Sequence, residues 1–479
     1  MAAAARVTLA VEVQKMTDPN LDPSTFGASF QAFLEQMTAQ APAKEPEIRR
    51  RLREHLGGDP AQMPVVSEQF AKYEHPNLHL ALEAYLGQPG RETELFGITS
   101  PHEMLTARLA QLAAPRSAMP GAGVDVGPVE YVNLPLDQAR VIACVRSGVH
   151  LVRRGEQRLV VYVNGSAGWR ENLMLEVMAA ERAAAEAVLA EVRNTMRARS
   201  IYRGRVISLE QPQQGTIDVR FHRLPAIGKD QIILPQGLLE RIERQAVRFA
   251  ELRGELRAMG RHLKRGMLLH GPPGTGKTLT AMYLAGQMPD RTVILLTGRA
   301  MGLIEQSCAL ARLLEPATVI LEDVDLVAEE RTRQCAGSNA VLFELLNQMD
   351  GLSDDADILF ILTTNRPDIL EPALAARPGR IDQALEVPLP DEGCRRRLFE
   401  LYGQGVELRL SQLDTFVART KGVSAAFLRE LLRKAALFAA DEGTGRAVED
   451  RHIDTALREL AVEGGKLTQS LLGASAMSA

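Results

Sequence analysis

The spacing of apolar positions changes character several times along the chain. Up to about residue 112, Leu and Ile recur at helical intervals. "EPEIRRRLREHLGG" and "NLHLALEAYLG" are examples, and each run stops at glycine. This pattern predicts a helical region over 1–112, with no chemistry of its own. Residues 113–128, "AAPRSAMPGAGVDVGP", are rich in Ala, Gly and Pro and read as a linker. From 129 to 225 a small α+β unit is expected. "VIACVRSGVHLVRRGEQRLVVYVNG" predicts two strands folded back at Arg154-Gly155. "RENLMLEVMAAERAAAEAVLAEVRNTMRARS" predicts one long amphipathic helix, and "IYRGRVISLE" and "TIDVRFHRLP" return to strand.

The texture changes again at residue 226. Short apolar runs such as "GMLLHG", "TVILL", "ATVILE" and "DILFILTT" alternate with helical stretches up to about 390. That alternation predicts an α/β core around a buried parallel sheet. Residues 391–465, including "SAAFLRELLRKAALFAADEG" and "DRHIDTALRELA", are helical in period, and 466–479 form a small, polar, flexible tail.

With 479 residues, 46% hydrophobic and 24% charged, the chain is globular and built of several domains. The formal charge of −4 gives no electrostatic ground for nucleic acid as its main partner. Cys144, Cys308, Cys335 and Cys394 lie far apart, and the nine histidines are scattered. Neither pattern suggests a zinc site or a disulfide framework, so a reducing compartment is expected. The first residues, "MAAAARVTLAVEVQK", lack a basic stretch ahead of their apolar part, and no apolar run reaches the roughly 20 residues that span a bilayer. A soluble, cytoplasmic protein without a membrane partner is the expectation. Trp169, the single tryptophan, reads as a packed anchor.

Chemistry enters at "GPPGTGKT", which is Gly271, Pro272, Pro273, Gly274, Thr275, Gly276, Lys277 and Thr278, with Leu279 completing the nucleotide-binding stretch. The run satisfies G-x-x-x-x-G-K-[ST] between a predicted strand and a predicted helix, the context a phosphate-binding loop requires. Backbone N–H groups converge on phosphate oxygens, and the helix start adds its positive dipole end. Lys277 should reach the β- and γ-phosphates of ATP, and the Thr278 hydroxyl should ligate Mg²⁺.

A second strand, in "ATVILEDVDLVAEER", delivers Glu322, Asp323 and Asp325. Hydrolysis needs one carboxylate for the metal and one for the attacking water. In one register Glu322 takes the metal and Asp323 the water, the reverse of the usual Asp-Glu order. A one-residue slip would put Asp323 on the metal with no Glu after it; the spacing to Asp325 favours the first register. Asn365, ending the run "DILFILTTN", is placed to hold the attacking water or sense the γ-phosphate. Arg377 and Arg380 flank a Pro-Gly turn. Taken alone they would be a solvated surface pair; beside a phosphate site they suit the nucleotide of a neighbouring subunit.

From about 226 to 465 these residues resemble the AAA ATPases, in their protein-remodelling branch. "RGMLLHGPPGTGKT" is similar to the family's Walker A segment, and "VILEDVD" to Walker B with its acids exchanged. "TTNRPDILEPAL" resembles the sensor 1 region, which implies that role for Asn365. "ARPGRID" resembles the arginine-finger turn, implying finger roles for Arg377 and Arg380. "TKGVSAAFLRELLRKAA" resembles the lid helices that close over adenine, with Ala425 where Gly is usual. "IGKDQIILPQGLLERI" resembles the segment entering the core, which implies Ile227 and Gly228 at the adenine. A branch of the family that includes a mitochondrial membrane translocase carries the Glu-Asp order and is active; only the acid order carries over.

The resemblance implies an α/β P-loop NTPase core with a parallel sheet and a C-terminal helical lid, behind a helical region and a small α+β unit. It implies Mg²⁺-dependent ATP hydrolysis in a homo-oligomeric ring, a hexamer, that remodels or unfolds a protein client. Two departures count against parts of this. The family's aromatic pore loop is replaced by "TGRAMGLIEQS", where Met301-Gly302 is the nearest candidate. The tail "GASAMSA" lacks the penultimate tyrosine with which proteasome-activating relatives dock. An ATP-gated assembly switch or scaffold with slow hydrolysis is the alternative. A DNA-associated AAA+ protein is a third reading, disfavoured by the acidic balance.

Overall fold

The computed structural model describes residues 45–99, 107–114, 124–165, 172–211, 217–325, 340–351, 353, 356–368, 381–443 and 446–460, with Ala32 and Leu370. Arg377, Arg380, Trp169, Cys335 and the tail lie outside the described residues. The chain divides into two compact units, Met1–Pro135 with Val141–Met196, and Leu136–Arg140 with Arg197–Ala479.

The first unit is built on β1 (Val65–Ala71), β2 (Glu92–Thr99), β3 (Asp125–Gly127), β4 (Glu130–Pro135), β5 (Val141–Arg154), β6 (Gln157–Gly165) and β7 (Asn172–Ala179). They pair antiparallel in the order β1-β7-β6-β5-β2-β3, with β4 beside β5. The central strand β6 reads Leu-Val-Val-Tyr-Val and is buried on both faces. Val160 and Tyr162 meet Ile48 and Leu52 of α1 (Glu47–Leu56). Val161 and Val163 join the opposite cluster, with Leu78 and Leu82 of α2 (His75–Leu86) and Leu189 and Val192 of α3 (Arg182–Ala198). The period of two in β6 is what lets one strand serve two helical layers.

Three expectations are corrected here. Residues 1–112 are not purely helical, because β1 and β2 belong to the sheet, and the last residues of the expected linker form β3. The long helix expected from residue 170 begins only at Arg182; the segment before it is β7. Glu176 disguised that strand, since a charge in a central strand reads as a helix surface. The structure buries it and satisfies it, with Leu109 N–H at 2.7 Å, the Ser67 hydroxyl at 3.1 Å and Arg108 Nε at 3.0 Å. The predicted hairpin at Arg154-Gly155 is present, with Arg154 opposite Gln157 and Gly155 at φ 58°.

The second unit carries β8 (Val206–Glu210), β9 (Asp218–His222), β10 (Arg265–His270), β11 (Thr292–Leu296), β12 (Ala317–Leu321), β13 (Ile358–Thr364) and β14 (Gln383–Glu386) in one sheet, ordered β14-β10-β13-β12-β11-β8-β9. All neighbours run parallel except β9, which folds back on β8. This corrects the expected boundary at 225: β8 pairs with β11 through Val206–Ser208 and Val293–Leu295, so the pair extends the parallel sheet and leaves the preceding unit. Strands β12 and β13 are buried at every position, as their unbroken apolar runs demanded. Helices α4 (Lys277–Gly286), α5 (Ile304–Leu313) and α6 (Ala340–Asp350) connect the strands.

The amino-terminal ends of three strands are clamped by Arg291, which is 4% exposed. Its guanidinium donates to Asp357 Oδ1 at 2.6 Å, to Thr318 Oγ1 at 3.1 Å and to the carbonyls of Ala317 and Asp357 at 2.5 and 3.1 Å. A buried charge is tolerated because its donor fork is filled. After the sheet come α7 (Glu392–Tyr402), α8 (Ala425–Asp441) and α9 (Asp450–Arg458), which enclose their own apolar cluster around Phe399, Phe416, Phe427 and Leu431. The strands β15 (Glu407–Arg409) and β16 (Ala447–Glu449) pair beside it. Among the described residues, no helix is long and apolar enough to cross a membrane.

Candidate active site

Strands β10, β13 and β12 are adjacent and parallel, so the segments that follow them emerge at one edge. That edge is where open α/β sheets bind ligands. The loop after β10 turns sharply at Gly271, where φ is 141° and a Cβ would lie 2.3 Å from the Val387 carbonyl oxygen. At Gly274, φ is 74° and a Cβ would lie 2.8 Å from both Ala426 Cβ and Ser424 Oγ. No side chain fits at either position, so the sequence has glycine there for room as well as for dihedral freedom.

Thr275 Oγ1 closes the loop on the Pro272 carbonyl at 3.0 Å, and Gly276 caps α4. The Lys277 ammonium lies inside the loop, donating to the carbonyls of Gly271 at 2.9 Å and Pro272 at 2.8 Å. Lys277 is 5% exposed, and burial pulls its ammonium down to about 8, against the opposing pull of Asp323 and Asp325. Pro273, Thr278 and Leu279 are exposed at the loop and the first turn of α4. A helix start with converging N–H groups and a lysine is an anion site.

The acids follow β12. Glu322 N–H still pairs with the Leu296 carbonyl at 3.1 Å. The Glu322 carboxylate is half-buried, and its Oε1 is enclosed with no hydrogen-bond partner among the described residues. Burial, and then the charge of Asp323, hold it above the ordinary carboxylate range. Asp323 is raised likewise, by burial first and then by Asp325, with Lys277 and Asn365 pulling the other way. Its backbone is left-handed, with φ 49°. That conformation costs an L residue roughly 1–2 kcal/mol and is most accessible to Asp and Asn.

Four hydrogen bonds bind this turn to the end of β13. Asp323 N–H donates to Thr363 Oγ1 at 3.1 Å, and Asn365 Nδ2 donates to Asp323 Oδ1 at 3.2 Å. Thr364 Oγ1 and Asn365 N–H both donate to Asp325 Oδ1, at 2.8 and 3.1 Å. The structure therefore brings together Lys277, Asp323 and Asn365 and places Glu322 next to them. It also adds Thr363, Thr364 and Asp325, to which sequence reasoning gave no role. The signal was present in "TTN" and "EDVD", but only strand adjacency reveals that the two strings face each other.

Glu322 Oε1 is the kind of orphaned, buried oxygen that a hard cation satisfies, and the exposed Thr278 hydroxyl is a second oxygen donor of the right class. Among the described residues no group of three or more His, Cys, Asp or Glu could hold a metal. One carboxylate with one hydroxyl fits Mg²⁺ carried in on phosphates better than a dedicated protein cage.

The lid reaches the loop directly: Ala426 N–H, at the start of α8, donates to the Gly274 carbonyl at 3.1 Å, and Ser424 Oγ caps α8 through Phe427 N–H. Ile227 packs against the sheet core, and Gly228 N–H donates to Gln231 Oε1 at 3.0 Å. A cleft of about 550 Å³, lined by Lys229, Ile232, Leu234, Leu239, Asp391 and Arg397 among others, includes none of the predicted site residues. Met301 is 2% exposed, packed under the short turn Gly298–Leu303, so the pore-loop candidate does not project. Arg377 and Arg380 lie outside the described residues.

Comparison with known proteins agrees with this geometry. The sequence model of the ATPase family associated with various cellular activities (AAA) matches residues 267–389. An ATP-dependent zinc metalloprotease FtsH of Mycobacterium bovis is 34% identical over 210 residues, 40% of this chain and 28% of that protein. FtsH 2 of Sphaerobacter thermophilus is 35% identical over 195 residues, 38% of this chain and 30% of that protein. The proteasome-activating nucleotidase of Thermococcus onnurineus is 34% identical over 188 residues, 36% of this chain and 47% of that protein. The chain thus spans less than half the length of these relatives. The family model falls on the strands and loops that build this site, and on that ground residues 267–389 are an AAA domain.

Proposed function

We propose that the chain is a Mg²⁺-dependent ATP hydrolase that works as a ring-shaped homo-oligomer, a hexamer, and drives remodelling of a protein partner. The observation that carries the reading is the gathering of Lys277, Asp323 and Asn365, with Glu322 beside them, at the ends of β10, β12 and β13. Lys277 would hold the terminal phosphates, and the lid contact through Ala426 would close over the bound nucleotide. Glu322 and Thr278 would hold Mg²⁺, which would supply charge neutralisation. Asp323 accepts a proton from the attacking water, and the Asn365 amide orients that carboxylate. Arg377 and Arg380 of a neighbouring copy would answer the charge that develops on the transferring phosphoryl group.

Phosphate release by the full chain tests hydrolysis, and mixed oligomers test the shared site. Arg377→Ala and Lys277→Ala variants, each inactive alone, should recover part of the turnover when combined. An Arg377→Ala protein with undiminished turnover contradicts the shared site.

A second reading, an ATP-gated assembly switch, is favoured by the buried Met301, since that side chain is not set to grip a threaded polypeptide. Size-exclusion mass with and without ATP separates the two when combined with turnover in the presence of an unfolded protein. Stimulated turnover supports remodelling. Assembly on ATP without stimulation supports the switch.

A further inference from the structure

We propose that Thr363 is a positioning residue, whose hydroxyl holds the backbone of Asp323 in the left-handed turn that aims its shorter side chain at the reacting water. The inference rests on the ATPase reading above and concerns how this chain tolerates the exchanged order of its acids. Aspartate falls one methylene short of glutamate, about 1.5 Å of reach. Were β12 to continue extended past Glu322, the Asp323 carboxylate would start from a strand position and stop short by that length. Instead β12 ends at Leu321, Glu322 N–H makes its bond to β11, and the chain turns over at Asp323 with φ 49°. Among the described residues no other non-glycine residue has positive φ.

A turn of that kind needs an acceptor for the amide it swings out of the ladder. Thr363 Oγ1 provides it at 3.1 Å, from a side chain with no solvent exposure. The neighbouring hydroxyl cannot substitute, because Thr364 Oγ1 is engaged with the Asp325 carboxylate and with Arg366 N–H. The same turn leaves Asp323 Oδ1 within 3.2 Å of the Asn365 amide, so the hydroxyl that holds the turn also sets where this carboxylate meets the amide that orients it.

The test uses the full chain with Thr363→Val, which keeps the shape and the strand preference but removes the acceptor, and Thr363→Ser, which keeps the acceptor. Hydrogen exchange at the Asp323 amide is read without nucleotide, and should quicken about tenfold in the valine variant and stay unchanged in the serine variant. The valine variant should lose roughly three- to tenfold in kcat with KM and ATP affinity unchanged, while serine stays within about twofold. Asp323→Glu, which restores a longer acid on the same turn, should lower turnover because its carboxylate overshoots Asn365. Wild-type exchange in the valine variant overturns the proposal, as does a serine variant that behaves like valine, or a glutamate variant that gains turnover. A wild-type chain without turnover defeats the ATPase reading, and the exchange result still decides the role of Thr363 in the turn.

Discussion

Asn365 Nδ2 donates to Asp323 Oδ1 over 3.2 Å, joining the ends of β13 and β12 across 42 residues of sequence. The pair fixes where a shortened acid points and makes the amide part of the same unit as the carboxylate. Removing the amide in Asn365→Ala frees the carboxylate to rotate without touching the phosphate loop. Turnover should fall by roughly ten- to a hundredfold while ATP affinity stays within about twofold, as measured by phosphate release and a fluorescent ATP analogue.

Lys277 occupies the loop with both of its carbonyl partners, and its role is affinity. Lys277→Ala should weaken ATP binding by roughly ten- to a hundredfold, the worth of charge-assisted hydrogen bonds to a phosphate. Isothermal titration of the full chain checks this. Unchanged affinity would remove the loop from the account.

Arg291 should dominate the stability of the nucleotide core. Arg291→Met leaves Asp357 buried beside empty donor positions and should cost about 3–5 kcal/mol in urea unfolding. Adding Asp357→Asn removes the orphaned charge and should return part of that loss. If the double variant is no more stable than the single one, the clamp does not act through charge.

His150 gives the first unit an acid-sensitive point. Its Nε2 is enclosed without a partner among the described residues, and burial with a smaller push from His79 brings its pKa to about 4. The neighbouring His75 and His79 on α2 are lowered too, mainly by burial, with Glu83 opposing at His79. A histidine that titrates near 6.5 unfolded and near 4 folded contributes stability that is complete above pH 6.5. As pH falls from 6.5 to 4 the unfolded chain takes up the proton first, and about 3 kcal/mol is lost. Pulse proteolysis in urea, reading fragments that arise within this unit, should show that decline, and His150→Leu should flatten it.

The parallel core was legible because burial on both faces leaves nothing charged in "TVILL" or "LFILTT" to confuse the period. The phosphate loop was legible because its glycines and lysine are fixed by chemistry at fixed spacing. The strands of the first unit were harder. In "VVSEQFA" and "ETELFGIT" a single buried aromatic, Phe70 or Phe96, carries most of the burial among charged neighbours. The β8–β9 hairpin was legible as strands but not as part of the nucleotide sheet, since its membership depends on Val206–Ser208 meeting Val293–Leu295. Thr363 escaped notice for a similar reason: a threonine in an apolar strand reads as packing until the strand beside it is known.

The most direct measurement is steady-state phosphate release by the full chain with Mg-ATP, run beside Asp323→Asn and Lys277→Ala. The account predicts measurable turnover for the unaltered chain, and for Asp323→Asn wild-type ATP affinity with turnover reduced at least to the level of Lys277→Ala. Release by the unaltered chain no faster than that of Lys277→Ala would contradict it.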